Sequence, residues 1–179
     1  VYVADYDQLG SVACRILVPG YSEIYPVDDL IWDNTNKSLL FREDVLNLHQ
    51  LDDEALLALL DRLENNELDD YLDIATLIGI KFDENTDWGQ LTVLELKLQV
   101  HLALQQFEQA QDLVAAFLQY NDNSVERGLF YQALSAALEV WLSDELDMDD
   151  YEQSFRRMFG DVRMDAIMGI LAGNIRFFG

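Results

Sequence analysis

The sequence predicts a mostly α fold of tetratricopeptide-like helical hairpins, preceded by one short strand left over from an upstream α/β domain. Three observations lead there. Val12, Cys14, Ile16 and Val18 alternate with Ala13, Arg15 and Leu17 in a nearly unbroken apolar run stopped by Pro19-Gly20, the pattern of a strand buried on both faces. Beyond residue 30 the apolar residues recur at helical spacing instead. Finally, Phe107-Glu108-Gln109-Ala110 is echoed 44 residues later by Tyr151-Glu152-Gln153-Ser154, a longer period than the tetratricopeptide's usual ~34. An aromatic knob beside a small residue is what close helix crossing within such a pair needs.

The strand, about residues 12–18, needs backbone partners that the following helical residues do not supply. With no Met at position 1, the chain is therefore expected to be the carboxy-terminal piece of a larger protein. Residues 1–30 would end the upstream core, 31–88 would be connecting helices, and 89–179 the helical repeat region.

Leu56, Leu59, Leu60 and Leu63 share one helical stripe. Asp52, Asp53 and Glu54 occupy its first turn, where negative charge complements the helix dipole, and Asn65-Asn66 ends it. A second short helix is predicted from Asp69 to about Leu77, with Leu68, Leu72 and Ala75 inward and Gly79 as its stop.

Thr92 and Glu95 form a capping box, and Leu94, Leu96, Leu98, Val100, Leu102, Ala103 and Leu104 leave little polar surface, which predicts an inner helix. After a turn at Gln105-Gln106, one face of its partner carries Phe107, Ala110, Val114, Phe117 and Leu118. Asn123 with Glu126 caps the next helix, along which Phe130, Ala133, Leu134, Ala137 and Trp141 continue at helical spacing. Asp149 with Glu152 starts its return helix, Gly160 closes the pair, and Met164, Ile167, Met168 and Leu171 face a last helix inward.

Composition restricts function. With 50% apolar residues the chain can bury a core, and 34 acidic against 11 basic side chains leave a formal net charge of −23. Such a surface repels a phosphate backbone, so no nucleic-acid partner is expected; a basic protein is the better match. Solubility of exposed helix faces accounts for the same charge. The single cysteine, Cys14, permits no internal disulfide and suits a cytoplasmic location. No apolar run has membrane-spanning length, so no membrane partner is expected.

Chemistry-bearing motifs are few. Asp83, Asn85 and Asp87, with Gly89 and Glu95 beyond, imitate a calcium loop, but counting from Asp83 puts the glycine and the glutamate one position too late. Turn stabilisation by Asp and Asn side chains is the plainer reading. His49 and His101 are too few for a histidine-based zinc site. No nucleophile elbow or phosphate loop is present, so no catalytic, cofactor or metal residue is assigned. The partner-binding candidates are Trp88, Trp141, Asp144, Glu145 and Asp147: aromatics anchor protein recognition when they line a groove, and clustered carboxylates attract a basic segment. Core packing for the aromatics and a solvated loop for the acids compete with that role.

The run from Ala13 to Gly20, Ala-Cys-Arg-Ile-Leu-Val-Pro-Gly, followed by Ser22-Glu23-Ile24-Tyr25-Pro26-Val27-Asp28-Asp29-Leu30, resembles the closing segment of the YcaO domain in enterobacterial-type YcaO proteins. Val93-Leu94-Glu95-Leu96-Lys97, Phe107 to Ala110, and Ile175-Arg176-Phe177-Phe178-Gly179 are similar to the helical region that follows it. The likeness is specific in the first 30 residues and around 92–120, and loose between 35 and 90.

The resemblance implies a parent protein whose core binds ATP and magnesium and activates backbone amides. That subfamily is an accessory factor for RimO, which methylthiolates an Asp of a small-subunit ribosomal protein. The resemblance puts the ATP-binding motifs upstream, so none of their residues maps onto this chain. Azoline-forming members end in a Pro-rich motif; Phe177-Phe178-Gly179 departs from it and argues against azoline chemistry.

Three roles remain open on these grounds: a non-catalytic module that docks RimO or its basic ribosomal substrate or forms a homodimer, a structural cap over the strand edge, or an integral part of the ATP-dependent enzyme with residues 19–29 completing its active site. Deleting 35–179 from a complete protein should spare ATP turnover in the first case and abolish it in the last.

Overall fold

The computed structural model describes residues 2–6, 13–17, 38–80, 89–120 and 125–178. Its two compact units are Val1–Asn36 and Lys37–Gly179. In the first, strands β1 (Tyr2–Tyr6) and β2 (Ala13–Leu17) pair antiparallel, with Tyr2 opposite Leu17 and Tyr6 opposite Ala13. The predicted strand is present, but it is not alone. Its partner precedes it in Tyr-Val-Ala-Asp-Tyr, where Ala4 and Asp5 interrupt the β-forming residues and conceal the strand from a pattern search.

The second unit is helical. It comprises α1 (Ser38–Leu46), a 3-10 turn (Leu48–Gln50), α2 (Asp53–Asn65), α3 (Ile74–Ile78), α4 (Val93–Ala103), α5 (Phe107–Tyr120), α6 (Val125–Trp141), α7 (Met148–Phe159) and α8 (Asp161–Leu171). The Asp52 side chain caps α2 by accepting from the Ala55 amide at 2.9 Å, and all four predicted leucines are buried.

Helix α3 is shorter than predicted, for a backbone reason. Ile74 N–H donates to Leu91 O at 2.8 Å and Val93 N–H to Leu72 O at 3.0 Å, so the chain before Ile74 is committed to an extended bridge and cannot be helical. Ile74, Leu77 and Ile78 are the buried residues, while Leu68 and Leu72 pack at the margin. Gly79, with φ of 66°, supplies the left-handed stop.

Helix α4 explains its own lack of a polar face. Leu94, Leu98 and Leu102 enter one apolar cluster with α5, α6 and α8, whereas Val93, Leu96 and Val100 enter another with α1, α2 and α3. Consecutive helices from α4 to α8 pack on their neighbours, and α8 also reaches back to α4 and α6. The predicted inward faces of α5 and α8 hold, with Ala110, Val114, Phe117, Met164, Ile167 and Leu171 all buried.

Three expectations change. The cap of α7 is Asp147, whose side chain accepts from the Asp149 amide at 3.1 Å; burial of Met148 draws the helix start forward. Trp141 is 41% exposed rather than core, because α6 ends there. The four-residue echo also lacks structural equivalence: Ala110 is fully buried, Ser154 is exposed, and α7 turns Phe155 and Phe159 toward the cluster instead. The Asn123 cap and the Asp83–Asp87 loop lie outside the described residues.

Candidate functional site

At the turn between α6 and α7, four predicted partner-binding residues come together. Trp141, Asp144, Glu145 and Asp147 line an open depression of about 440 Å³ with Leu146 and Met148. Trp88 lies outside the described residues. Trp141 is held edge-on by Phe107, their ring centres 6.2 Å apart, which restricts its motion while leaving its outer face to solvent. Leu142 and Leu146 are exposed beside it, by 39% and 40%. The turn is shaped locally: Glu145 N–H donates to Ser143 Oγ at 3.2 Å, Asp147 caps α7, and Asp149 and Asp150 occupy the positive end of that helix. Apolar and acidic side chains thus share one depression.

A second cleft, of about 420 Å³, lies between the 3-10 turn, α4 and α6. Leu48, Leu91, Phe130, Phe177 and Phe178 form its apolar walls, and Glu95, Arg127 and Tyr131 its polar base. The sequence marks Glu95 as a cap and as the out-of-register glutamate of a calcium-like loop. The capping box is present: Glu95 N–H donates to Thr92 Oγ1 at 3.3 Å, and Thr92 N–H donates to Glu95 Oε2 at 3.1 Å. Yet the fully buried carboxylate also accepts from Tyr131 Oη at 2.7 Å and Arg127 Nε at 2.9 Å, with a second, ionic contact to the same guanidinium. Arg127 then reaches Gln90 O at 2.9 Å, tying the segment before α4 to α6.

The electrostatics follow from burial. Burial works against the Arg127 charge, but the hydrogen bond and charge of Glu95 outweigh it and hold the guanidinium above its ordinary value. Burial first, and then the Glu95 carboxylate, raise the Tyr131 hydroxyl well above its usual range. Above a pH of about 10 the unfolded tyrosine loses its proton while the folded one keeps it, so the folded state binds more protons and stability falls as pH rises. Tyr131→Phe is expected to flatten that decline, measured by urea unfolding at successive alkaline pH values; an unchanged slope would contradict the assignment.

Both Glu95 oxygens are saturated with donors, so this carboxylate is a clamp between helices and not a base poised for substrate. The sequence signal for it was an acid in the first turn of a helix rich in leucine and valine. His49 is exposed and bonds Gln50, and His101 is buried against Gln106 at 2.7 Å. Among the described residues no three His, Cys, Asp or Glu side chains converge to hold a metal ion. None of the described helices is long and apolar enough to cross a membrane.

Residues 38–179 match the family model of the YcaO cyclodehydratase C-terminal domain, beginning at the first residue of α1. The chain belongs to that family. It is 39% identical over 165 residues to an uncharacterized protein of Haemophilus influenzae, covering 89% of this chain and 28% of that protein. It is 32% identical over 183 residues to the ribosomal protein S12 methylthiotransferase accessory factor YcaO of Escherichia coli, covering 100% of this chain and 31% of that protein. The chain thus spans less than a third of either relative. Both the acidic depression and the Glu95 clamp lie within the stretch that matches the YcaO C-terminal domain.

Proposed function

We propose that the chain is the non-catalytic, tetratricopeptide-like C-terminal helical region of a cytoplasmic YcaO-type protein, and that it docks a basic protein segment at the α6–α7 turn. The observation that carries this reading is that exposed Trp141 and Leu146 line one depression with Asp144, Glu145 and Asp147. Apolar side chains supply contact energy there, and the carboxylates select and steer a cationic partner. Neighbour-on-neighbour packing from α4 to α8 supports the repeat-like description.

On this reading the parent is an ATP-dependent accessory factor for methylthiolation of a small-subunit ribosomal protein; the name of the Escherichia coli relative, a ribosomal protein S12 methylthiotransferase accessory factor, supports the methylthiolation role. ATP and magnesium then belong to the part of the relatives that this chain does not span. The partner is RimO or the basic ribosomal protein.

Light scattering of the chain, alone and mixed with each of those two, tests the docking role. A defined complex that weakens with added salt is expected. Trp141→Ala should loosen it by about thirtyfold, the effect of removing a central anchor, while lowering the melting temperature by only a few degrees, because the half-exposed ring packs on the domain chiefly through Phe107. A homodimer that ignores both proteins would replace docking by self-association, and a monomer that binds neither would leave a structural cap.

A further inference from the structure

The segment after α8 lies on the domain as a bound peptide would. Leu171 ends the helix, and Gly173, with φ of 74°, makes a left-handed turn that favours glycine; a Cβ there would also displace the end of the Gln105 side chain, 2.6 Å away. The amides of Asn174 and Ile175 both donate to Gly169 O, at 2.8 and 3.0 Å, and the chain reverses. A Cβ on Gly169 would sit 2.7 Å from Ile175 Cδ1, so that glycine admits the returning side chain.

Beyond Ile175 the segment is held by side chains. Arg176 donates to Leu51 O at 3.1 Å and to Asp53 Oδ1 at 2.5 Å. Phe178 packs against Phe130 and Tyr131, with centroid separations of 4.8 and 6.4 Å, and its amide donates to the buried Gln99 side chain at 3.4 Å. Phe177 joins the cluster formed by α1 to α4. The domain therefore presents a carboxylate and carbonyl for an arginine, an aromatic pair for a ring, and a side-chain carbonyl for a backbone N–H. These are the elements with which proteins recognise extended peptides. The 420 Å³ cleft continues beside Phe177 and Phe178, leaving room for more than these two rings.

We propose that this groove, bounded by the 3-10 turn, α4 and α6, binds an extended segment of a partner protein carrying arginine followed by two aromatic residues, and that Arg176-Phe177-Phe178 is its internal placeholder. The net charge of −23 favours a cationic ligand, and the contacts that hold residues 176–178, Arg176 on Leu51 and Asp53, the Phe178 amide on Gln99 and its ring on Phe130, are ones that a partner segment of the same chemistry can replace. This groove shares no lining residue with the acidic depression, so failure of one role leaves the other standing.

The test uses the full chain and an end-blocked, fluorescently labelled peptide, Asn-Ile-Arg-Phe-Phe, with binding read by anisotropy. Gly173→Ala strains the turn without touching the groove and should tighten peptide binding by between about fivefold and thirtyfold, the equivalent of an unfavourable left-handed residue. A second chain, Arg176→Ala with Phe178→Ala, removes the placeholder's anchors and should bind the peptide more tightly too. Replacing the peptide's arginine by glutamate should abolish the gain. If both variants melt cooperatively and neither binds better than the unaltered chain, the proposal is wrong.

Discussion

Glu95→Ala is expected to lower the unfolding free energy by about 3–5 kcal/mol, because it removes the acceptor shared by a partly buried guanidinium and a buried phenol. For a chain of this size that corresponds to a fall in melting temperature of roughly 6–20 °C. Donors from three residues lose their acceptor: Tyr131 Oη, the Arg127 guanidinium, and the amide and hydroxyl of Thr92. Glu95→Gln should fall between the unaltered chain and Glu95→Ala, since its amide nitrogen cannot accept from Arg127. The informative companion is Glu95→Leu with Arg127→Met, which removes the charges together and should recover much of the loss. Should Glu95→Ala cost less than about 1 kcal/mol, the network would not be what joins α4 to α6.

Helix stripes and caps were legible in the sequence because they depend on neighbours three or four residues away. Leu56, Leu59, Leu60 and Leu63 identify their own buried face, and Thr92 with Glu95 its own cap. Even the two-sided burial of α4 shows as a helix with no polar side. One local reading failed, the α7 cap, which is Asp147 and not Asp149; the other failures were non-local. The start of α3 is set by pairing with residues 91–93, and the partner of β2 lies in a strand with a weak pattern of its own. Likewise, a four-residue echo carries no information about which helix face its small residue occupies, and the structure buries Ala110 but not Ser154.

The same distinction governs the sites. Trp141, Asp144, Glu145 and Asp147 lie within seven residues of sequence, so their gathering at one turn follows from a helix ending and another beginning. The Glu95 clamp joins residues 32 and 36 positions apart, and no local pattern announces such a pairing. Nor does periodicity reveal that residues 174–178 return across the domain, where Arg176 meets Asp53 over a separation of 123 residues. Charge alone draws a partner toward this chain; exposed apolar side chains and fixed polar groups decide where it stays.

Phe117→Ala is expected to cost about 3–5 kcal/mol, the loss of a large buried side chain together with the cavity it leaves. Phe117 is 1% exposed, its ring centre lies 4.1 Å from that of Tyr131, and the Arg127 guanidinium sits 6.0 Å from the ring centroid. The substitution thus loosens the floor beneath the Glu95 clamp as well as the core of α5 and α6. Phe117→Leu, which refills much of the space, should recover more than half of the lost stability. The shape of the transition tells more than its midpoint. If the clusters on either side of α4 were independent, thermal unfolding of Phe117→Ala would split, leaving the α1 to α3 phase unmoved. Because α4 contributes Leu94, Leu98 and Leu102 to one cluster and Val93, Leu96 and Val100 to the other, neither can lose that helix and persist. A single transition shifted as a whole is therefore expected, and a biphasic melt would show that α4 does not couple the two.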